Sequence, residues 1–195
     1  MERDYEALPI RELGAGAGFR RPTQSQAARV TPGSPAMQVM TDLAVVSPAT
    51  IRPQAPLSGA NQLMITRGVR LLLVVDEQHE TVLGVLTSTD VLGERAMQVA
   101  ISRGLRRDEL SVADVMTPAD EVEVVTLADV ERARVGHILE TLRRLGRQHA
   151  LVLDAERRVR GVFSVSQIAR QLGVDPPVGA EVARTFSEIE AALAK

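Results

Sequence analysis

Residues 84–90 read GVLTSTD and residues 161–167 read GVFSVSQ. The first stretch offers hydroxyls at Thr87 and Thr89 and a carboxylate at Asp90; the second offers hydroxyls at Ser164 and Ser166 and an amide at Gln167. If a strand ends and a helix begins at such a stretch, unpaired backbone N–H groups and the positive end of the helix dipole suit a phosphate. A carboxylate one turn into that helix can also accept from two vicinal ribose hydroxyls at once, which a neutral amide does less well. By this chemistry the first stretch suits a nucleotide and the second mainly a structural cap. The same spacing also reads as a capping box, a hydroxyl followed three residues later by a side chain that reaches back. Thr87 with Asp90 fits that pattern loosely and Ser164 with Gln167 fits it well, so capping alone accounts for both stretches.

Other reactive side chains form no recognisable constellation. His79 falls in a turn, His137 on a helix and His149 at the start of a strand, without the neighbours of a triad or a metal pair. His149 reads as a half-buried strand residue with one satisfied nitrogen. Arginines cluster at Arg106 and Arg107, at Arg143, Arg144 and Arg147, and at Arg157, Arg158 and Arg160. They read as solvated surface, the alternative being an arginine that reaches a ligand phosphate. Without cysteine there is neither a disulfide framework nor thiolate chemistry. No catalytic set and no metal set emerges, so the reading is of a chain that binds without catalysing.

The elements that must position these groups occur twice. VMTD (Val39 to Asp42) returns as VMTP (Val115 to Pro118), and Gly68, ahead of VRLLLVVD, returns as Gly146 ahead of RQHALVLD. GVLTSTD then returns as GVFSVSQ, in the same order and at nearly the same spacing, the mark of an internal repeat. In the first copy the pattern predicts a short strand at Ala44 to Val46, then a helix carrying Leu57, Ala60, Leu63 and Met64 and stopped by Gly68. Strands at Leu71 to Val75 and Val82 to Leu86 follow. In the second it predicts a strand at Val122 to Val125 and a helix through Val135, Ile138, Leu139 and Leu142 stopped by Gly146. Strands at Ala150 to Leu153 and Val159 to Phe163 complete it. Unbroken apolar strands imply burial on both faces, with helices over the sheet. Each copy is then β-α-β-β-α, too small to bury its faces alone, and the two are expected to pack through their sheets in an α+β fold.

The predicted division is an N-terminal arm at 1–34, rich in glycine and proline and expected to be flexible, the first repeat at 35–93 and a linker at 94–110. The second repeat takes 111–173 and a C-terminal amphipathic helix 174–195. In that helix Val182, Phe186, Ile189 and Leu193 form one apolar stripe, expected to pack on the chain's own body or on a second protomer. Of the 195 residues 45% are apolar but 2% aromatic, which leaves little for stacking bases, and the formal charge of −2 lacks the cationic excess that tracks phosphates. Nucleic acid is therefore not an expected partner. The N-terminus has no secretory pattern and the longest apolar run stops at Asp76, so neither a membrane span nor export is expected and the reading is cytoplasmic.

Together, the doubled VMT, GVRLLLVVD and VLGVLTSTD resemble a tandem of cystathionine-β-synthase (CBS) domains, a Bateman module, over roughly residues 36 to 172. The resemblance implies a usually dimeric module that senses an adenosyl ligand such as AMP, ADP, ATP or S-adenosylmethionine, with no obligatory cofactor. By position, Asp90 would hold the ribose hydroxyls and Thr87, with Thr89, the phosphate. Val46 and Thr50 would line the base pocket and Arg70 would be a further phosphate contact. In the second copy Ser164 and Ser166 match while Gln167 departs from the carboxylate, which puts a second site in doubt. Such modules regulate a protein, here one in trans; the alternative is a dimerisation or partner-docking scaffold with vestigial pockets.

Overall fold

The computed structural model describes residues 30–78, 81–174 and 182–193. His79 and most of the predicted arm lie outside them. The described strands are β1 (Thr41–Asp42), β2 (Thr50–Ile51), β3 (Leu71–Val75), β4 (Val82–Thr87), β5 (Thr117–Pro118), β6 (Val124–Thr126), β7 (His149–Leu153) and β8 (Val159–Ser164). The helices are α1 (Leu57–Arg67), α2 (Ser88–Leu92), α3 (Glu94–Arg103), α4 (Val112–Val115), α5 (Leu127–Arg132), α6 (Val135–Leu145), α7 (Val165–Gln171) and α8 (Val182–Leu193). Gly68 and Gly146 end α1 and α6 in the left-handed conformation, with φ of 64° and 61°.

Two four-stranded sheets form, in the orders β2-β3-β4-β5 and β1-β8-β7-β6. The outer strands are exchanged. VMTD opens the first repeat yet β1 pairs with β8 of the second, and VMTP opens the second repeat yet β5 pairs with β4 of the first. The glycine of each repeated stretch makes this exchange possible. A Cβ on Gly84 would sit 2.3 Å from the carbonyl oxygen of Thr117, and a Cβ on Gly161 would sit 2.4 Å from Sδ of Met40. Each GV dipeptide therefore opens a space that the other repeat's VMT segment fills. The boundaries 35–93 and 111–173 describe the order along the chain but not the packing units.

The unbroken apolar strands serve two layers. From β3, Leu72 and Val74 face α1, α2 and α3 with Leu86, while Leu73 and Val75 meet Val85 and Leu151 between the sheets. On the other side Ala150, Val152 and Phe163 pack with Ile138, Leu142 and Ile168 beneath α6 and α7. The two repeats thus pack through their sheets with helices outside.

Some expectations are corrected. Ala44 to Val46 is a turn rather than a strand, because the N–H groups of Ala44, Val45 and Val46 all bond back to Asp42; the strand begins at Thr50. Residues 94–110 are not a passive linker: they carry α3, whose Ala96 and Ala100 are buried in the first repeat's core. The last described residues of the arm are pinned, with Val135 N and Gly136 N donating to Ser34 O and Pro32 O. Phe186 and Ile189 of the C-terminal stripe are buried in the second repeat's core, so α8 packs on the chain's own body; the side chains of Val182 and Leu193 lie outside the description.

Candidate functional site

The two repeated stretches end their strands in different ways. At the first, the loosely fitting box is complete. Thr87 N and Thr87 Oγ1 both donate to Oδ2 of Asp90, at 2.8 and 2.6 Å, and Asp90 N donates to Thr87 Oγ1 at 3.3 Å. Two close donors fill Oδ2. Oδ1 receives only Arg95 Nη1, at 3.3 Å. At the second stretch the expected box is absent: Ser164 makes no cap bond, its hydroxyl meets that of Ser166 at 3.1 Å, and Gln167 Oε1 accepts from Thr41 Oγ1 at 3.0 Å. The exchanged strand explains the difference, because β1 brings Thr41 within reach of Gln167 and takes the amide away from its own helix end.

A cavity of about 170 Å³ opens beside the first stretch. From the first repeat it is lined by Leu71, Val85, Thr87, Thr89 and Asp90. Thr117 on the exchanged strand, Val122 and Glu123 before β6, and residues 145–149 with Leu151 close the other side. The walls therefore come from both repeats. Thr117 is the buried polar residue of the described core, 6% exposed, and its hydroxyl accepts from Arg95 Nη1 at 3.1 Å.

Residues 36–96 match the family model of the CBS domain. Solved structures share the fold over about three quarters of the chain. An uncharacterised conserved protein from Pyrococcus horikoshii superposes with a TM-score of 0.56 at 19% identity, over 77% of this chain and 100% of that one. The chain carries a CBS domain within the fold of a CBS pair. CBSX2 of Arabidopsis thaliana in complex with AMP gives 0.51 at 22% identity, over 71% and 95% of the two chains. The CBS domain pair of protein MJ0100, in complex with 5′-methylthioadenosine and S-adenosyl-L-methionine, gives 0.52 at 21%, over 73% and 98%. No curated protein matches the chain by sequence.

Of the residues singled out in the sequence, the fold brings Thr87, Thr89 and Asp90 together at the cavity. Val46, Thr50 and Arg70 are not among its lining residues. Val46 is 52% exposed in the turn after β1, and Thr50 pairs with Leu73 at a sheet edge. The lead-in segment that does line the cavity is Val122 and Glu123, the two residues before β6 of the second repeat. The strand exchange is the physical reason: it faces each motif with the opposite repeat. Ser164, Ser166 and Gln167 are not among the lining residues either: the two serines bond each other and Gln167 accepts from Thr41.

Arg147 and His149 also line the cavity; the sequence offers Arg147 a ligand contact as the alternative to solvated surface, and His149 none. His149 stands where the first repeat has Leu71, and its Nδ1 is buried without a hydrogen-bond partner, contrary to the satisfied nitrogen expected. Burial lowers its pKa to about 4; the Arg70 cation adds to the shift and the Asp90 carboxylate opposes it. The ring is therefore neutral near pH 7. Among the described residues no cluster of His, Cys, Asp and Glu is placed to hold a metal, and no helix is long and apolar enough to cross a membrane.

Proposed function

We propose that this chain is a regulatory module that binds one adenosyl ligand, without catalysis, in the cavity between its repeats. The observation that carries this reading is the asymmetry of the two motif ends. The first keeps Asp90, whose Oδ1 carries a single long bond, in the wall of a cavity, whereas the second spends its amide oxygen on Thr41. With Oδ2 filled by Thr87, a ribose hydroxyl would bond Oδ1, with Thr89 beside it. AMP, 5′-methylthioadenosine and S-adenosyl-L-methionine, bound by the similar structures, share the adenosyl group this arrangement suits.

The lining charges narrow the choice. Arg147 is one cation against the carboxylates of Asp90 and Glu123. That balance favours a nucleoside, a monophosphate or a sulfonium over a triphosphate, because each added phosphate charge must be met by a cation. Calorimetric titration of AMP, ADP, ATP, S-adenosylmethionine and NAD tests the proposal. AMP or S-adenosylmethionine should bind more tightly than ATP, and Asp90→Ala should weaken that binding by about 1.5 to 3 kcal/mol. If none of the five binds, the reading fails.

A second reading, self-association in a scaffold, draws on one feature. Met97 and Ile101, four apart on α3, are 51% and 73% exposed, with Leu92 and Leu105 exposed at either end of that helix. Sedimentation of wild type against Met97→Glu with Ile101→Glu tests it: a dimer that the double variant leaves intact rules this face out.

A further inference from the structure

Arg95, in the first turn of α3, holds three acceptors at once. Nη1 donates to Oδ1 of Asp90 at 3.3 Å and to the Thr117 hydroxyl at 3.1 Å, and Nη2 donates to the Met116 carbonyl at 3.1 Å. Met116 and Thr117 lie at the point where the chain crosses from one repeat to the sheet of the other. The arginine therefore ties the ligand-facing carboxylate to the crossing strand. The second repeat lacks this link. There Thr41, the counterpart of Thr117, donates directly to Gln167, the counterpart of Asp90, at 3.0 Å, and five residues after Gln167 the chain has the buried Leu172 where five residues after Asp90 it has Arg95.

We propose that Arg95 competes with the ligand for Oδ1 of Asp90, and that its displacement on binding loosens the crossing at Met116 and Thr117. The inference rests on the adenosyl-ligand reading and adds to it how occupancy reaches the other repeat. The competition follows from the acceptor count. Oδ2 is filled by Thr87, so a ligand hydroxyl must approach Oδ1, where the long Arg95 contact is the weakest bond present. With its side chain 42% exposed, Arg95 can swing into solvent when displaced. It then loses the geometry that holds Thr117 as well, since one nitrogen, Nη1, serves both acceptors.

The test titrates wild type, R95Q and R95K with adenosine and with 2′,3′-dideoxyadenosine, and follows amide exchange of residues 116–117. Adenosine carries no charge, so loss of the guanidinium acts through Asp90 rather than through attraction of a phosphate. R95Q should bind adenosine about 2- to 5-fold more tightly than wild type, the range expected for loss of an exposed ion pair, and dideoxyadenosine no more tightly. R95K, without the planar fork, should lie between. Adenosine should speed exchange at residues 116–117 in wild type, and R95Q should show the faster exchange before ligand is added. Equal or weaker adenosine binding by R95Q overturns the proposal, as does an equal gain for both nucleosides or an exchange rate in wild type that adenosine leaves unmoved. Binding with no dependence on Arg95 removes this inference alone; absence of binding to every variant removes the adenosyl reading and this inference with it.

Discussion

His149 should make the free protein sensitive to mild acid. Its ordinary pKa is 6.5, and in the folded chain burial, aided by Arg70, brings it to about 4. Between those values the unfolded chain takes up a proton that the native chain refuses. Stability is therefore fully present above about pH 6.5 and falls as the pH drops, by about 1.4 kcal/mol per unit. Across the whole window the loss comes to about 3 kcal/mol, a large part of the 5 to 15 kcal/mol that holds a typical domain together. Carboxylates contribute at lower pH. Asp114, bonded by Ser111, and Glu140, bonded by Arg143 and Arg144, have depressed pKa values; the stability they supply is present above their ordinary values of 3.8 and 4.5 and is lost as the pH falls below them.

His149→Leu isolates the effect, because leucine is what the first repeat carries at Leu71 and it brings neither a titrating group nor an unpartnered Nδ1. Urea denaturation of both ligand-free proteins, from about pH 7.5 to about pH 4.5, gives the stability at each pH. The variant should gain on wild type steadily as the pH falls below about 6.5, reaching an advantage near 3 kcal/mol beyond any difference at neutrality. Parallel stability curves would refute the reasoning, since they would mean that the native imidazole accepts its proton as readily as the unfolded one.

Three further outcomes follow from the packing. Gly84→Ala drives a Cβ against the Thr117 backbone carbonyl and should cost about 3 kcal/mol in urea denaturation, whereas Gly161→Ala meets the pliable end of Met40 and should cost about 1; equal costs would count against the close approach at Gly84. Gln167→Ala removes the bond from Thr41 and should lower stability by about 1 kcal/mol while leaving adenosyl-ligand affinity unchanged in calorimetry, so a matching loss of affinity would revive a second site. Deleting residues 178–195 strips Phe186 and Ile189 from the second repeat's core and should cost about 3 to 6 kcal/mol, seen as a lower Tm. An unchanged Tm would mean that α8 contributes nothing to that core.

The sequence made the repeat and its elements legible because apolar periodicity and the glycines are local signals. Leu71 to Val75 is a strand, and Gly68 and Gly146 end the helices before each central strand, as their patterns require. What stayed hidden depends on which repeat meets which. Nothing local to GVFSVSQ reveals that Thr41 will reach Gln167 and undo the expected cap, and nothing local to GVLTSTD reveals that Val122, rather than Val46, will face it. One signal was available: GV and VMT recur together, and a glycine that must accommodate a close neighbour points to the segment that fills it.

The strand exchange also bears on how such a module can transmit a signal. If each VMT segment paired within its own repeat, a ligand at Asp90 would reach the other repeat only across the facing wall of residues 122–123, 145–149 and Leu151. With the strands exchanged, Thr117 belongs to the cavity wall and, seven residues before β6, to the lead-in of the opposite repeat. A displacement there is passed along the backbone as well as across a packed interface. The two repeats do not wire this crossing alike. Thr41 is fixed by a single direct bond to Gln167, while Thr117 is held through a charged side chain that is part exposed and shared with Asp90. A direct bond between two half-buried neighbours offers a ligand no charged group to displace, but an arginine at the cavity rim can trade a carboxylate for water. On the proposed reading, the asymmetry that ties Gln167 to Thr41 leaves the first as the one of these two crossings that a ligand can move.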